Sequence, residues 1–372
     1  MNICIVSPGY PDKSNSSFFV FVKQLVDAIA THGHQCQVIA PHSITHNHSI
    51  KQQVEEYACG DGKVTVYRPN YLSLSSFRIG TFYPTLLLQK LAVARGLRQL
   101  RKKPDVIYCH FWSEGYYAYS FSKKNNIPLF VASGESEIEL DFIPKSKIAA
   151  FCDYVNGVIC VSSKNQDESI KLGLTIADKC GVFPNAINAN LFNKREKADC
   201  RKKLGLPQDD FVAAFVGWFN DRKGPMRVAQ ALDKVDGVKS IFIGKGEQDP
   251  QCDGILYKGA VPHDEVPVYL NAADVFVLPT QHEGCCNAVI EAMACGLPII
   301  SSNRPFNWDV LDDSNSILIE PDDVDDIANA IRVLREDTKK RNNLAEGALR
   351  KAEGLTIEKR AKSIIDFMKS KI

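Results

Sequence analysis

The sequence predicts an α/β protein with two doubly wound parallel-sheet domains in tandem. Three observations predict this class: short unbroken apolar runs of strand length, helix-period segments between them, and one break in this alternation after Gly181. Unbroken apolar runs are typical of strands whose two faces are both covered by helices. A chain of 372 residues also exceeds the size at which a single core keeps growing, which favours two domains.

The first predicted domain covers residues 1–182. Its first helix spans residues 18–31, with apolar side chains along one stripe and Gly33 just beyond its end. Buried strands are predicted for residues 3–6, 37–40, 106–109, 129–131 and 158–161. Because helices separate these strands, we expect them to run parallel under helical cover.

The second predicted domain covers residues 183–355. Residues 184–188 are turn-like and residues 193–204 are charged without a strand signal, so the linker is placed there. Alternation of strand and helix patterns then resumes, with strands predicted for residues 211–216, 240–243, 275–278 and 298–301.

The last segment, residues 356–372, is predicted to be a separate helix. Its apolar side chains recur at helical spacing with lysines between them, and no strand follows. A terminal helix with an apolar stripe must bury that stripe, and packing back across the first domain is one way to do so.

Composition excludes several classes of protein. Lys and Arg total 45 against 44 for Asp and Glu, a balance that disfavours a nucleic-acid partner. The start of the sequence lacks a basic leader and a long apolar core, and no run approaches a membrane span. The 12 cysteines are scattered without paired metal or redox spacing, which favours buried thiols in a cytoplasmic protein.

A strand, loop and helix between residues 275 and 295 carries the main functional signal. The strand is followed by a polar loop, and the helix is predicted to begin with Asn287 as its N-cap. Ligands of open α/β sheets bind at the carboxyl ends of strands. The amides of Cys285, Cys286 and Asn287 would therefore offer a positive helix end to an anion, above all a diphosphate.

Charged residues around this loop favour a sugar nucleotide as the ligand. Glu283 and Glu291 would repel phosphate, so we expect them to accept hydrogen bonds from sugar and ribose hydroxyls. Arg222 and Lys223, after the strand 211–216, provide the cations that a diphosphate needs. Gly217 and Gly224 allow close approach of the backbone there.

These motifs resemble the family 4 glycosyltransferases over nearly the whole chain. The matching segments are EGCCNAVIEAMACGLPII, AADVFVLPT before it, ILIEPDD after it, VGWFNDRKG and, in the first half, DVIYCHFW and VFPNAINANLF. The resemblance implies the GT-B fold, with two Rossmann-like domains facing a cleft and a retaining reaction.

The resemblance also implies roles for individual residues. Glu283 would contact the donor sugar, Glu291 the ribose, and the backbone from Gly284 to Asn287 the sugar and phosphates. Lys223 matches the phosphate-binding lysine, and His110 the histidine that faces the donor sugar. We therefore assign catalysis to His110, Lys223 and Glu283. The donor-binding set is Gly217, Arg222, Lys223, Val261, Glu283, Gly284, Cys285, Cys286, Asn287 and Glu291.

The chain departs from the family pattern at three places. Trp218 stands where the family usually has arginine, and we expect Arg222 to supply that charge. The first loop reads Asn-Ser-Ser-Phe at residues 15–18 instead of carrying small glycines, and Ser133 replaces a histidine before Gly134. We assign acceptor binding to these altered loops, through Ser16, Ser17, Phe18 and Glu135.

The predicted activity is metal-independent transfer of a hexosyl group from a nucleotide diphosphate sugar, with UDP as the default, to a hydroxyl acceptor. No metal or other cofactor is expected, and the acceptor would be a carbohydrate or a lipid-linked sugar of cell-surface polysaccharide or glycolipid synthesis. Two alternatives stay open: an epimerase of the same fold, and a non-catalytic nucleotide-sugar binding subunit.

A basic helical pattern between residues 77 and 103 has two interpretations. Apolar side chains at residues 82–88 precede five Arg and Lys residues, so the segment could lie on anionic lipid at the inner face of a membrane. The alternative is a core helix whose terminal cations complement its dipole, and the pattern slightly favours this interpretation.

Overall fold

The computed structural model describes residues 1–12, 15, 18–45, 53–74, 77, 83–140 and 143–372. The chain divides into two compact units. Unit 1 contains Met1–Phe183 and Glu358–Ile372, and unit 2 contains Pro184–Ile357. Among the described residues, no helix has the length and apolar character that crossing a membrane requires.

Unit 1 alternates strands and helices along most of its length. Its strands are β1 (Asn2–Val6), β2 (Gln35–Ile39), β3 (His42–Ser43), β4 (Val54–Cys59), β5 (Gly62–Tyr67), β6 (Asn70–Tyr71), β7 (Val106–His110), β8 (Leu129–Ser133), β9 (Gly157–Cys160) and β10 (Cys180–Val182). Its helices before the linker are α1 (Val20–Thr31), α2 (Pro84–Arg98), α3 (Trp112–Lys124), α4 (Lys145–Tyr154) and α5 (Ser163–Lys171).

The main sheet of unit 1 has the strand order β10-β9-β8-β7-β1-β2-β5-β4. All pairs are parallel except β4 with β5, a strand pair that the sequence analysis did not predict. Gly60 and Asp61 form a tight connection, with Gly60 at φ 55°, and such a short loop can join only antiparallel strands. Half-exposed residues along β4 hid this strand from a search for unbroken apolar runs.

The C-terminal helix, α12 (Ile357–Ser370), packs on unit 1, as predicted. Ala361, Ile364 and Met368 are fully buried. The ring of Phe367 lies 6.4 Å from that of Phe130 and 5.3 Å from that of Phe183, measured between centroids. The apolar stripe read from the sequence is therefore the buried face of this helix.

The basic segment of unit 1 is only partly helical. Residues 78–82 lie outside the described residues, and α2 ends at Arg98, so Arg101, Lys102 and Lys103 follow the helix. The Gln37 side chain accepts a hydrogen bond from Arg101 N at 3.2 Å and donates one to Lys102 O at 3.0 Å. These bonds hold the backbone after α2 against β2 and stop a helix that was predicted to continue.

Unit 2 has the same alternation. Its strands are β11 (Phe211–Val216), β12 (Val238–Ile243), β13 (Ile255–Gly259), β14 (Val275–Leu278), β15 (Ile299–Ser302) and β16 (Ser316–Ile319). Its helices are α6 (Lys197–Leu204), α7 (Pro225–Leu232), α8 (Val266–Ala272), α9 (Asn287–Ala294), α10 (Val324–Glu336) and α11 (Thr338–Ala352). The charged segment 193–204, predicted to be linker, thus contains helix α6.

The sheet of unit 2 is entirely parallel, in the order β13-β12-β11-β14-β15-β16. Numbered within the unit, this is the order 3-2-1-4-5-6 of a Rossmann fold. The direction of strand addition reverses between β11 and β14. Loops at the carboxyl ends of these two strands therefore flank the position where such sheets bind ligands.

Candidate active site

The loops after β11 and β12 lie unusually close together at the carboxyl edge of unit 2. Gly244 has φ 155°, and a Cβ on it would stand 1.9 Å from Gly217 O. Phe219 N donates to Lys245 O at 2.8 Å, which ties the two loops by their backbones. Only glycine at residue 244 permits this close approach. The contact holds the loop after β11, which leads to Lys223, against the loop after β12.

Three polar groups converge on one oxygen of Glu283, which follows β14. Arg222 Nη1 lies 2.7 Å from Glu283 Oε1, and Lys223 Nζ lies 2.5 Å from the same atom. The hydroxyl of Thr280 donates to it at 3.0 Å. The structure therefore brings together three predicted site residues that are up to 61 positions apart in the sequence.

Two cations beside one carboxylate give this cluster a positive balance. Burial lowers the pKa of Lys223, but the negative charge of the Glu283 carboxylate and its hydrogen bond to the ammonium favour the charged form, and the pKa is raised overall. Lys223 is therefore charged at neutral pH. Burial also raises the pKa of the Cys286 thiol, whose Sγ lies 3.9 Å from Lys223 Nζ, so Cys286 is a protonated thiol and a poor nucleophile.

Helix α9 begins beside this cluster. Its N-cap is Cys286, with extended φ and ψ angles, and not Asn287 as predicted; Asn287 is the first helical residue and its side chain is exposed. The prediction rested on the preference of asparagine for N-cap positions. In the structure the helix begins one residue earlier than this preference suggests, and the buried Cys286 is the N-cap. Cys285 is held from the other side, since Asn185 Nδ2 donates to Cys285 O at 3.1 Å.

Glu291 faces a histidine from a different loop. His263, between β13 and α8, has its Nε2 3.1 Å from Glu291 Oε1. The imidazole also packs edge-on against Phe192, with 5.2 Å between ring centroids. The hydrogen bond to Glu291 raises the pKa of His263 above its ordinary value. Val261, assigned to the donor site, lies on the same loop two residues before His263.

Trp218, which replaces the expected arginine, is an exposed residue at this edge. Its Nε1 lies 3.2 Å from a carboxylate oxygen of Glu247, and the Lys245 ammonium lies 6.0 Å from the centre of its ring. The indole thus bridges the loops after β11 and β12. Arg222, the residue expected to supply the charge that Trp218 lacks, contacts Glu283 directly.

Sequence reasoning missed His263, Thr280 and Asn185. Thr280 and Asn185 are common loop residues, and their partners could not be read from sequence spacing. His263 carried a weak signal, because it follows a strand of the unit at the carboxyl edge, where ligand-binding loops lie. That strand, β13, is half-exposed at every residue and was itself not predicted.

His110 lies at the carboxyl end of β7 in unit 1 and is buried. Its ring is surrounded by Phe21, Tyr108 and Phe111, at centroid distances of 5.4–5.6 Å. Burial, with a smaller contribution from Arg360, lowers the pKa of His110 to about 3, so the imidazole is neutral at physiological pH. Its Nδ1 has no hydrogen-bond partner among the described residues.

The predicted acceptor residues have different surroundings. Ser16 and Ser17 lie outside the described residues, and Phe18 is exposed and lines a cavity of unit 1. The Glu135 carboxylate accepts hydrogen bonds from Trp112 N at 3.1 Å and Gly134 N at 2.8 Å. It therefore stabilises the first turn of α3, a structural role that the sequence did not predict.

The two histidines should titrate differently. We expect NMR titration to show His110 neutral between about pH 5 and pH 8, and His263 protonating at a pKa above its ordinary value. Glu291→Gln should lower the His263 pKa, because the carboxylate stabilises the imidazolium. Glu336→Gln, on the exposed face of α10, is the matched control. If Glu291→Gln leaves the His263 pKa unchanged, the hydrogen bond between His263 and Glu291 is excluded.

Comparison with known proteins matches both halves of the chain to glycosyltransferases. The family described as Glycosyl transferases group 1 matches residues 196–351, and Glycosyltransferase Family 4 matches residues 19–191. The putative teichuronic acid biosynthesis glycosyltransferase TuaC of Bacillus subtilis is 28% identical over 349 residues, covering 89% of this chain and 88% of that protein. The UDP-Gal:alpha-D-GlcNAc-diphosphoundecaprenol alpha-1,3-galactosyltransferase of Escherichia coli is 26% identical, covering 78% of this chain and 83% of that protein.

Solved structures share the fold over the whole chain. Sucrose-phosphate synthase from Thermosynechococcus elongatus has a TM-score of 0.79 at 19% identity, covering 100% of this chain and 99% of that chain. Anabaena HepE, in complex with UDP and glucose, has a TM-score of 0.70 at 16% identity, with 100% of both chains covered. With two family matches, one to each half, and this fold, the chain belongs to the family 4 glycosyltransferases of the GT-B fold.

Proposed function

We propose that the protein transfers a hexosyl group from a UDP-sugar to a hydroxyl acceptor, with retention of anomeric configuration and without a metal ion. The observation that carries the proposal is the convergence of Arg222 and Lys223 on Glu283 beside the start of α9. This arrangement offers cations and helix amides to a diphosphate and carboxylates to hydroxyls.

Donor binding would rearrange the partners of this cluster. A diphosphate carries more negative charge than one carboxylate, so it competes with Glu283 for Lys223 and Arg222. The released Glu283 oxygen can then accept hydrogen bonds from hydroxyls of the donor sugar. Glu291, oriented by His263, would accept from the ribose diol.

The proposed chemistry is front-face substitution. The bond between the anomeric carbon and the diphosphate oxygen breaks while the acceptor oxygen bonds to that carbon from the same face. The acceptor proton passes to the leaving phosphate oxygen, so the products are UDP and the glycoside. Lys223, Arg222 and the amides at the start of α9 stabilise the negative charge that grows on the diphosphate.

The relatives support this choice of substrates. The names of two relatives specify teichuronic acid biosynthesis and a diphosphoundecaprenol acceptor with a UDP-galactose donor. HepE of Anabaena binds UDP and UDP-glucose in its solved structures. We therefore propose a role in cell-surface polysaccharide or glycolipid synthesis in the cytoplasm, with a lipid-linked or carbohydrate acceptor.

Removing the central cation should impair turnover without unfolding the protein. Lys223→Ala should lower the rate of UDP release from a UDP-sugar about 100- to 1,000-fold, because a charge that stabilises the leaving diphosphate is lost. Glu283→Gln should have a similar effect through the donor sugar. The rates are measured by UDP release across a panel of UDP-hexoses, with and without added saccharides.

Lys234→Ala is the matched control, since this exposed lysine of unit 2 pairs with Asp325 away from the cluster. Circular dichroism and thermal unfolding check that each variant is folded. A thermal-shift titration with UDP measures donor binding separately from turnover. Near-normal turnover of both site variants would reject the assignment of the donor site.

The stereochemistry and the metal requirement can be tested together. Proton NMR of the product should show the anomeric configuration of the donor sugar, because front-face substitution retains it. EDTA should leave the rate unchanged, since Lys223 and the helix amides neutralise the leaving group. An inverted product excludes front-face substitution, and a rate lost to EDTA and restored by a divalent ion excludes metal independence.

We further propose peripheral contact with anionic membrane through the basic end of α2, by which we mean Arg98 and the residues Lys102 and Lys103 just after the helix. Arg98, Lys102 and Lys103 are exposed there, and cations near an anionic surface contribute about 1 kcal/mol each. Replacing all three by Gln should reduce flotation with phosphatidylglycerol vesicles at low salt.

The control for vesicle flotation is Lys339→Gln with Lys340→Gln, because these two exposed lysines lie on α11 of unit 2. They change the net charge in the same direction without touching the basic end of α2. Equal flotation of both variant proteins, or no flotation of the unmodified protein at low salt, would reject membrane contact through α2.

A further inference from the structure

A cavity of about 380 Å³ lies in unit 1, at the carboxyl ends of β1 and β2. Proline carbons of Pro8 and Pro41 form part of its wall, and the other lining residues combine rings with hydroxyl or amide groups: Asn15, Phe18, His42, Ser43, Tyr71 and Ser73. Its volume is at the lower end of small-molecule sites. Rings that cover apolar C–H faces, together with hydroxyl and amide groups that bond hydroxyls, match the chemistry of a saccharide.

The short segment 71–74, which starts at the end of β6 and borders this cavity, combines two chemically different sets of side chains. Tyr71 and Ser73 line the cavity, whereas the alternate residues Leu72 and Leu74 are exposed to solvent. One short segment therefore contributes side chains both to the polar cavity and to an exposed apolar surface.

The apolar surface continues onto helix α2. Leu74 N donates to Thr85 Oγ1 at 3.0 Å, which places Leu74 at the first turn of the helix. Leu87 and Leu91, one turn apart on its outer face, are 45% and 50% exposed. We call Leu72, Leu74, Leu87 and Leu91 the leucine surface. The opposite face of α2 is buried through Val93 and neighbouring residues, so the leucine surface is not part of the core.

A cation lies close to both the cavity and the leucine surface. Arg95 is one turn beyond Leu91, and its guanidinium donates a hydrogen bond to Asn70 O, next to Tyr71 in β6. Exposed apolar surface bordered by a cation and a polar cavity provides complementary contacts for an amphiphile with a phosphate.

We propose that this region binds the acceptor as a lipid-linked saccharide. The saccharide occupies the cavity, the phosphate lies at Arg95, and the hydrocarbon chain covers the leucine surface. The inference rests on the proposed function, because only a transferase requires an acceptor, and it commits that acceptor to a sugar joined to a hydrocarbon chain through phosphate.

The test is equilibrium binding of paired probes to the full chain. Glucose, galactose, N-acetylglucosamine and glucuronic acid are each offered as the methyl glycoside and as the dodecyl phosphodiester, below the concentration at which micelles form. At least one dodecyl phosphodiester should bind about tenfold or more tightly than its methyl glycoside, because the chain buries apolar area on the leucines.

Variants separate the three parts of the site. Leu87→Gln with Leu91→Gln should weaken binding of the dodecyl probe about tenfold and leave the methyl glycoside unchanged. Phe18→Ala should weaken both probes, because it alters the cavity. The matched control is Leu172→Gln with Ile176→Gln, whose side chains are 51% and 60% exposed elsewhere on unit 1.

Equal affinity of both probe forms for every sugar, or no binding of any probe, overturns the inference. An equal loss in the control variant overturns it as well, because the effect would then not depend on the leucine surface. A different result would reject the proposed function: a protein that neither binds UDP nor releases UDP from a UDP-sugar. A protein that binds UDP and transfers sugar without preferring the dodecyl probes retains the proposed function and rejects only the lipid-linked acceptor.

Discussion

The parallel pairing of β11 with β14 is the constraint on which the candidate site depends. The two strands are neighbours and run parallel, so their carboxyl ends and the loops that follow them lie side by side. Lys223 follows one strand and Glu283 the other, and the pairing brings them together. Gly244 allows the neighbouring loop to pack directly on Gly217. The position of the charged cluster is thus set by backbone pairing.

The chemistry of the cluster follows from the cost of buried charge. Lys223 and Glu283 are both largely buried, and a buried ion is tolerated when a partner neutralises it. Arg222 adds a second cation to the same carboxylate oxygen, so the cluster has a positive balance that suits an anionic ligand. If a diphosphate displaced the Glu283 carboxylate from Arg222 and Lys223, both cations would still be paired with an anion. The same contacts that stabilise the folded protein would thereby prepare it for the proposed nucleotide sugar.

Carboxylates in unit 1 show why a residue type does not by itself reveal a role. Glu135 and Glu114 both lie near the first turn of α3, where Glu114 is buried and Glu135 is half-buried. The carboxylate of Glu135 bonds the amides of Trp112 and Gly134, whereas burial raises the pKa of Glu114 to about 8. Neither fact was accessible from the sequence, where Glu135 was interpreted as an acceptor ligand because it follows an altered motif.

The sequence by itself determined the fold class, most strands of unit 2 and the order of strand, loop and helix around Glu283, because apolar periodicity and loop composition are local properties. Only the tertiary structure decided that β4 runs antiparallel, that Glu291 pairs with His263, and that Arg222 and Lys223 share one oxygen of Glu283. Such pairs join segments far apart in the chain. Their contacts depend on strand order, register and the close approach of loops, which no local pattern of residues specifies.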